Sequence, residues 1–123
     1  MNESVEVDVH NKRRFWPPFI VFLLLTPFAL LAGFISGGAG HGDYFVAKFL
    51  FPYTMLSTIP FGYITDFFLI FALVQFPLYG FVLGMINQRA RLIPPLIAIL
   101  LLHTSVALLC IYLLNVWPNS FAR

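Results

Sequence analysis

Residues 17–36, PPFIVFLLLTPFALLAGFIS, decide the class of fold. The stretch carries no charge. A helix rising about 1.5 Å per residue over this length covers about 30 Å, the hydrocarbon thickness of a bilayer. Pro17 and Pro18 suit the first turn of such a helix, where an N–H has no intrahelical partner. Trp16 stands just outside it, at the expected membrane–water interface. The reading that follows is an all-α integral membrane protein.

Upstream, residues 1–14 mix Glu3, Glu6 and Asp8 with the basic cluster Lys12, Arg13 and Arg14. They show no sustained periodicity and are expected to form a flexible polar tail. A basic cluster before an apolar run also fits a cleaved signal peptide, and the small residues from Ser36 to Gly40 follow it. The run is longer than the usual 7–15 residue signal core and lacks an A-x-A site. An uncleaved signal anchor is therefore the preferred reading.

Downstream, Ser36–Asp43 (SGGAGHGD) is a glycine-rich connection that breaks helix and strand alike. A second apolar run covers Tyr44 to about Ile59, contains Lys48 and Pro52, and ends at Pro60, Phe61 and Gly62. A third runs from Asp66 to about Ile86, with Thr65 or Asp66 placed to cap its start. After Asn87–Arg91 (NQRAR), a fourth run opens at Pro94 and Pro95, reaches Trp117 and stops at Pro118. Residues 15–118 thus form one transmembrane helical domain, and 119–123 a short tail. No alternation of period two, as a membrane barrel strand requires, runs through these segments.

Composition agrees. The chain of 123 residues is 60% hydrophobic and 10% charged, with a mean hydropathy of +0.89. Soluble domains carry about 25% charged residues. The net charge of +2 is dispersed, with no basic, aromatic-interleaved patch for nucleic acid. The single cysteine, Cys110, cannot form an internal disulfide and reads as a small buried hydrophobe.

The expectation is a small bundle of four hydrophobic helices, with the second either spanning or re-entrant. At about 24 Å, the second run falls just short of a span, and Lys48 can snorkel from one turn inside it. Length therefore favours four crossings. Charge favours three. With a cytoplasmic N-terminus, four crossings put Lys12, Arg13, Arg14 and Arg123 inside against Lys48, Arg89 and Arg91. Three crossings put Lys12, Arg13, Arg14, Arg89 and Arg91 inside against Lys48 and Arg123, which follows the positive-inside rule better. The expected location is a plasma (inner) membrane with the N-terminus cytoplasmic.

Small residues mark candidate packing faces. Ala29, Gly33 and Gly37 recur every fourth residue in the first helix, and Gly80 and Gly84 form a GxxxG in the third. Packing within the chain and a homodimer face are the two readings. Pro27, Pro52 and Pro77 each free a carbonyl one turn earlier, for which Thr26 and Gln75 are candidate partners.

Polar groups at membrane depth mark possible function. His103 is the deepest and shares a face with Ala107 and Cys110. A second cluster gathers His41, Asp43, Tyr44 and Lys48 at the start of the second run. Each can be read structurally, as a hydrogen-bonded core histidine and as a helix cap with its loop. A metal centre needs three or four ligands, more than His41 and Asp43 supply, and HExxH, CxxC, GxSxG and phosphate-loop motifs are absent. No metal or cofactor is expected. The leading expectation is a non-enzymatic structural, accessory or interaction protein. Its partners would be the bilayer and either a second copy or another membrane protein. An oligomeric transporter or channel subunit for small solutes or ions is the alternative, and an intramembrane enzyme the remotest reading. The small multidrug-resistance exporters and the fluoride channels share this size and helix number. The chain lacks the first-helix glutamate of the former and the glycine- and arginine-containing signature of the latter.

Overall fold

The computed structural model describes residues 2–38, 42–88 and 91–116. Every regular element among them is helical: α1 (Asn2–Ser36), α2 (Phe45–Leu50), α3 (Pro52–Leu56), α4 (Thr58–Phe61), α5 (Asp66–Asn87) and α6 (Ile93–Val116). Three helices are long and apolar enough to cross a membrane, over Arg14–Ser36, Asp66–Asn87 and Ile93–Val116. Residues 117–123, including the expected stop at Pro118 and the short tail, lie outside the described residues.

Two expectations at the start of α1 give way. The polar lead continues the helix from Asn2, and Pro17 and Pro18 lie inside α1 rather than in its first turn. No glycine or proline interrupts residues 2–16. A proline in a helix interior strips the carbonyl four residues earlier of its donor. For Pro18 that carbonyl is Arg14, and it accepts a bond of 2.7 Å from the Asn87 side-chain amide at the end of α5.

α1 and α5 pack antiparallel along the small-residue faces. A Cβ on Gly80 would fall 2.8 Å from the Phe22 Cβ and 3.0 Å from the Phe19 Cα, and one on Gly84 would fall 2.7 Å from the Phe15 carbonyl oxygen. Nearer the other end of the seam, Ala29 is buried with Phe51, Ala72 and Phe76. Gly33 receives the Phe51 ring and Gly37 the Tyr44 ring. All five predicted packing residues therefore face neighbours within the chain.

The second apolar run is not one continuous helix. It breaks at Phe51, because Pro52 has no N–H to continue α2 and instead opens α3, and again at Ser57 before α4. α2 starts beside the end of α1, where Ala47 lies next to Gly33. α3 then meets the start of α5, the Thr54 hydroxyl donating to the Phe68 carbonyl at 3.0 Å. Gly62, at φ 72°, closes α4 in the left-handed conformation that glycine accepts without strain. The segment thus enters and leaves at the same end of the bundle. It forms a bent wedge between the α1–α5 pair and α6. Its far side packs Ala47 and Met55 against Cys110 and Leu114 of α6.

Candidate functional site

The break at Phe51 organises the polar interior. In an unbroken helix the carbonyls of Lys48, Phe49 and Leu50 would receive N–H groups from residues 52, 53 and 54. The backbone bonds that cross the break instead join Phe51 to Ala47 and Met55 to Phe51. The Phe49 and Leu50 carbonyls accept side-chain donors from other helices. His103 Nε2 of α6 lies 3.0 Å from the Phe49 oxygen, and Gln75 Nε2 of α5 lies 2.8 Å from the Leu50 oxygen. Two polar side chains thereby tie α5 and α6 to the bend, where an unpaired carbonyl in hydrocarbon would cost several kcal/mol.

The hydrogen-bond directions follow from the chemistry of the acceptors. A carbonyl oxygen only accepts, so Nε2 of His103 carries the hydrogen. In the neutral ring Nδ1 is then an acceptor, and the Tyr79 hydroxyl, 3.2 Å away, donates to it. Tyr53 of α3 lies close enough to Tyr79 to act on its hydroxyl. The imidazole is further enclosed by the rings of Phe49, Phe76 and Tyr79, at centroid distances of 6.2, 6.3 and 5.8 Å. His103 therefore sits in an aromatic cage with both nitrogens paired. Among its bonds, one remains conspicuous by its lack: the Gln75 side chain is 5% exposed and its Oε1 has no hydrogen-bond partner.

The second predicted cluster is built as a helix start. The Asp43 carboxylate accepts the Phe45 N–H at 3.0 Å, and Lys48 Nζ donates to the Asp43 carbonyl at 2.8 Å. Tyr44 adopts φ 56°, the left-handed region rarely taken by residues other than glycine, and its ring fills the space left by Gly37. This turn aims the chain from α1 back into the bundle. Ser36 helps to hold it, its hydroxyl donating to the Gly33 carbonyl and accepting the Ala47 N–H. His41 lies outside the described residues. His103 bonds to Phe49 and Tyr79 rather than to Asp43 or Lys48.

Thr26 donates to the Phe22 carbonyl, not to the carbonyl freed by Pro27, and Gln75 serves Leu50 rather than the carbonyl freed by Pro77. Thr65 is the N-cap residue of α5 but makes no side-chain cap hydrogen bond. Tyr53 and Tyr79 were not singled out by the sequence. Their only advance signal was a tyrosine within each apolar run, and tyrosines are ordinary at membrane interfaces. Among the described residues no group of three His, Cys, Asp or Glu side chains could hold a metal ion.

The polar centre is therefore a clasp: two side chains hold a bent segment by its carbonyls, and Tyr79 orients one of them. Comparison with protein-family models, curated proteins and solved structures gives no match to this chain.

Proposed function

We propose that the chain is an integral membrane protein that crosses three times, with α2–α4 as a re-entrant segment, and that it works without catalysis as an accessory or interaction subunit. The observation that carries this reading is the openness of α6, whose apolar window is only 11% buried within the chain. A span so little covered by its own bundle is suited to lateral contact with other helices. Its exposed side includes Thr104, Ser105 and Tyr112 beside Leu101 and Leu108, and hydroxyl side chains on membrane helices pair readily across helix contacts. The clasp residues supply further support, since His103 and Gln75 spend their donors on backbone rather than on a reacting group.

In this reading the N-terminus and the α5–α6 connection share the cytoplasmic side of a plasma membrane, as the distribution of Lys and Arg favours. Native-gel electrophoresis of gently solubilised membranes is expected to give a species well above the 14.0 kDa chain. Leu101→Trp or Leu108→Trp, on the open side of α6, is expected to return it to the monomer. A monomer in native membranes, unchanged by either substitution, would overturn the reading. Retention in the membrane after carbonate washing tests the setting separately.

One observation favours a transporter or channel subunit as a second reading. Discontinuous membrane helices present backbone carbonyls at mid-depth, where ions are coordinated in secondary transporters, and the Phe51 break has this form. Solute flux above the protein-free rate in proteoliposomes, lost in His103→Phe, would favour it.

A further inference from the structure

The open side of α6 carries polar groups that its own chain leaves unused. Thr104, midway along the helix, and Asn115, next to its end, are both exposed, and neither side chain makes a hydrogen bond among the described residues. The neighbouring Ser105 settles its hydroxyl on the Leu101 carbonyl at 2.7 Å, a bond of a kind that Thr104 does not make. About three full turns separate Thr104 from Asn115, so the two stand on one face. Ile97, Leu101 and Leu108 complete that face, all exposed, with half-buried Ile111 at its edge. No Asp, Glu, Lys or Arg occurs anywhere in α6.

Positions 97, 101, 104, 108, 111 and 115 alternate spacings of four and three, the seam of a left-handed helix pair. Apolar members of such a seam mean little in a helix that is apolar all round, so the two polar members are what single this face out. Hydrocarbon offers the Thr104 hydroxyl no partner. Chains inserted in one orientation close a pair only about a two-fold axis along the membrane normal, and each residue near that axis then meets its own copy at its own depth. Hydroxyl and carboxamide groups both donate and accept, so Thr104 matches Thr104 and Asn115 matches Asn115. A different helix would have to bring polar groups at two depths about 16 Å apart, whereas a second copy supplies both by symmetry. A polar residue in such a seam also fixes the register of the pair.

We propose that this face of α6 joins two copies of the chain in a parallel pair, with Thr104 and Asn115 each facing its counterpart. The proposal rests on the interaction reading above and names its partner. The first test cross-links the full chain in native membranes, in a Cys110→Ala background. Leu101→Cys and Leu108→Cys lie on the seam, whereas Leu102→Cys and Leu109→Cys, at positions 58% and 50% exposed, are turned away from it. Oxidation with copper phenanthroline is expected to give a species of twice the 14.0 kDa chain from the first two variants and not from the second two. The second test measures energy transfer between chains labelled at the N-terminus in phosphatidylcholine vesicles of increasing lipid content, which gives a dissociation constant. Thr104→Val should raise it about threefold, and Thr104→Val with Asn115→Leu about eightfold, the factors for one and two hydrogen bonds between membrane helices. Equal cross-linking at all four positions, or a dissociation constant unmoved by the double variant, overturns the proposal. A large species in native membranes with no cross-link between copies overturns the second copy as partner but not the interaction reading. A monomer in native membranes overturns both.

Discussion

Replacing His103 by phenylalanine tests the clasp. The substitution keeps a ring against Phe49, Phe76 and Tyr79 but removes both ring nitrogens, so the aromatic contacts survive while two hydrogen bonds are lost. Side-chain hydrogen bonds between membrane helices average about 0.6 kcal/mol and reach about 1.7. Losing two, with the Phe49 carbonyl left unpaired, is expected to cost about 1–3 kcal/mol. Gln75→Met is the informative comparison. It removes one bond, to Leu50, but it also removes the unpartnered Oε1. The two effects oppose each other, and the net cost is expected near 0–1 kcal/mol. Unfolding in bicelles, followed by steric trapping, measures both variants on one scale. The ordering is the decisive quantity. If Gln75→Met costs as much as His103→Phe, or if His103→Phe costs less than about 0.5 kcal/mol, the account of the bend as held by these donors is wrong.

The remaining predictions concern packing and topology. Gly80→Leu should separate α1 from α5, because the new side chain meets the Phe19 backbone as well as Phe22, and should destabilise by about 1–3 kcal/mol in the same trapping assay. Asn87→Ala should cost about 0.5–1.5 kcal/mol by orphaning the Arg14 carbonyl, whereas Asn87→Asp, with no amide donor, should rescue nothing. Cys110 is 0% exposed, so the folded chain should resist a maleimide until it is denatured. In a Cys110→Ala background, cysteines placed at Asp43 and Tyr63 should be labelled from one side of the membrane and a cysteine at Gln88 from the other. Labelling of Asp43 and Tyr63 from opposite sides would mean that the second segment spans.

The long helices were legible because hydropathy and length alone specify them. So were the packing stripes: a glycine repeated every fourth residue lets backbones approach, and Gly80 and Gly84 do admit α1. The second segment was ambiguous because its length and its charge pointed to different answers. Pro52 announced a break, but whether a break is tolerated depends on donors 25 and 54 residues away in sequence. The start of α1 was misread for a similar reason. Pro17 and Pro18 look like a helix opening when only local chain preference is weighed, and the Asn87 amide that supports the interior position arrives from 73 residues further on. Of the candidate site residues, Asp43 and Lys48 meet at the start of α2, a contact between near neighbours in sequence. The pairing of His103 with Tyr79 was not, since nothing local records which faces of α5 and α6 meet.

The bend at Phe51 also constrains the order of assembly. Residues 45–61 emerge from the ribosome well before the two side chains that receive their carbonyls, and the later of these, His103, lies near the middle of the last helix. Until then, sinking the bend into hydrocarbon would leave two carbonyls dry and unpaired, at several kcal/mol each. The segment is therefore expected to wait at the lipid surface or in the insertion machinery while α5 enters, and to dock when α6 arrives. Biogenesis would then end with a folding step in the middle of the chain, and a nascent polypeptide truncated before His103 would leave that segment reachable from water.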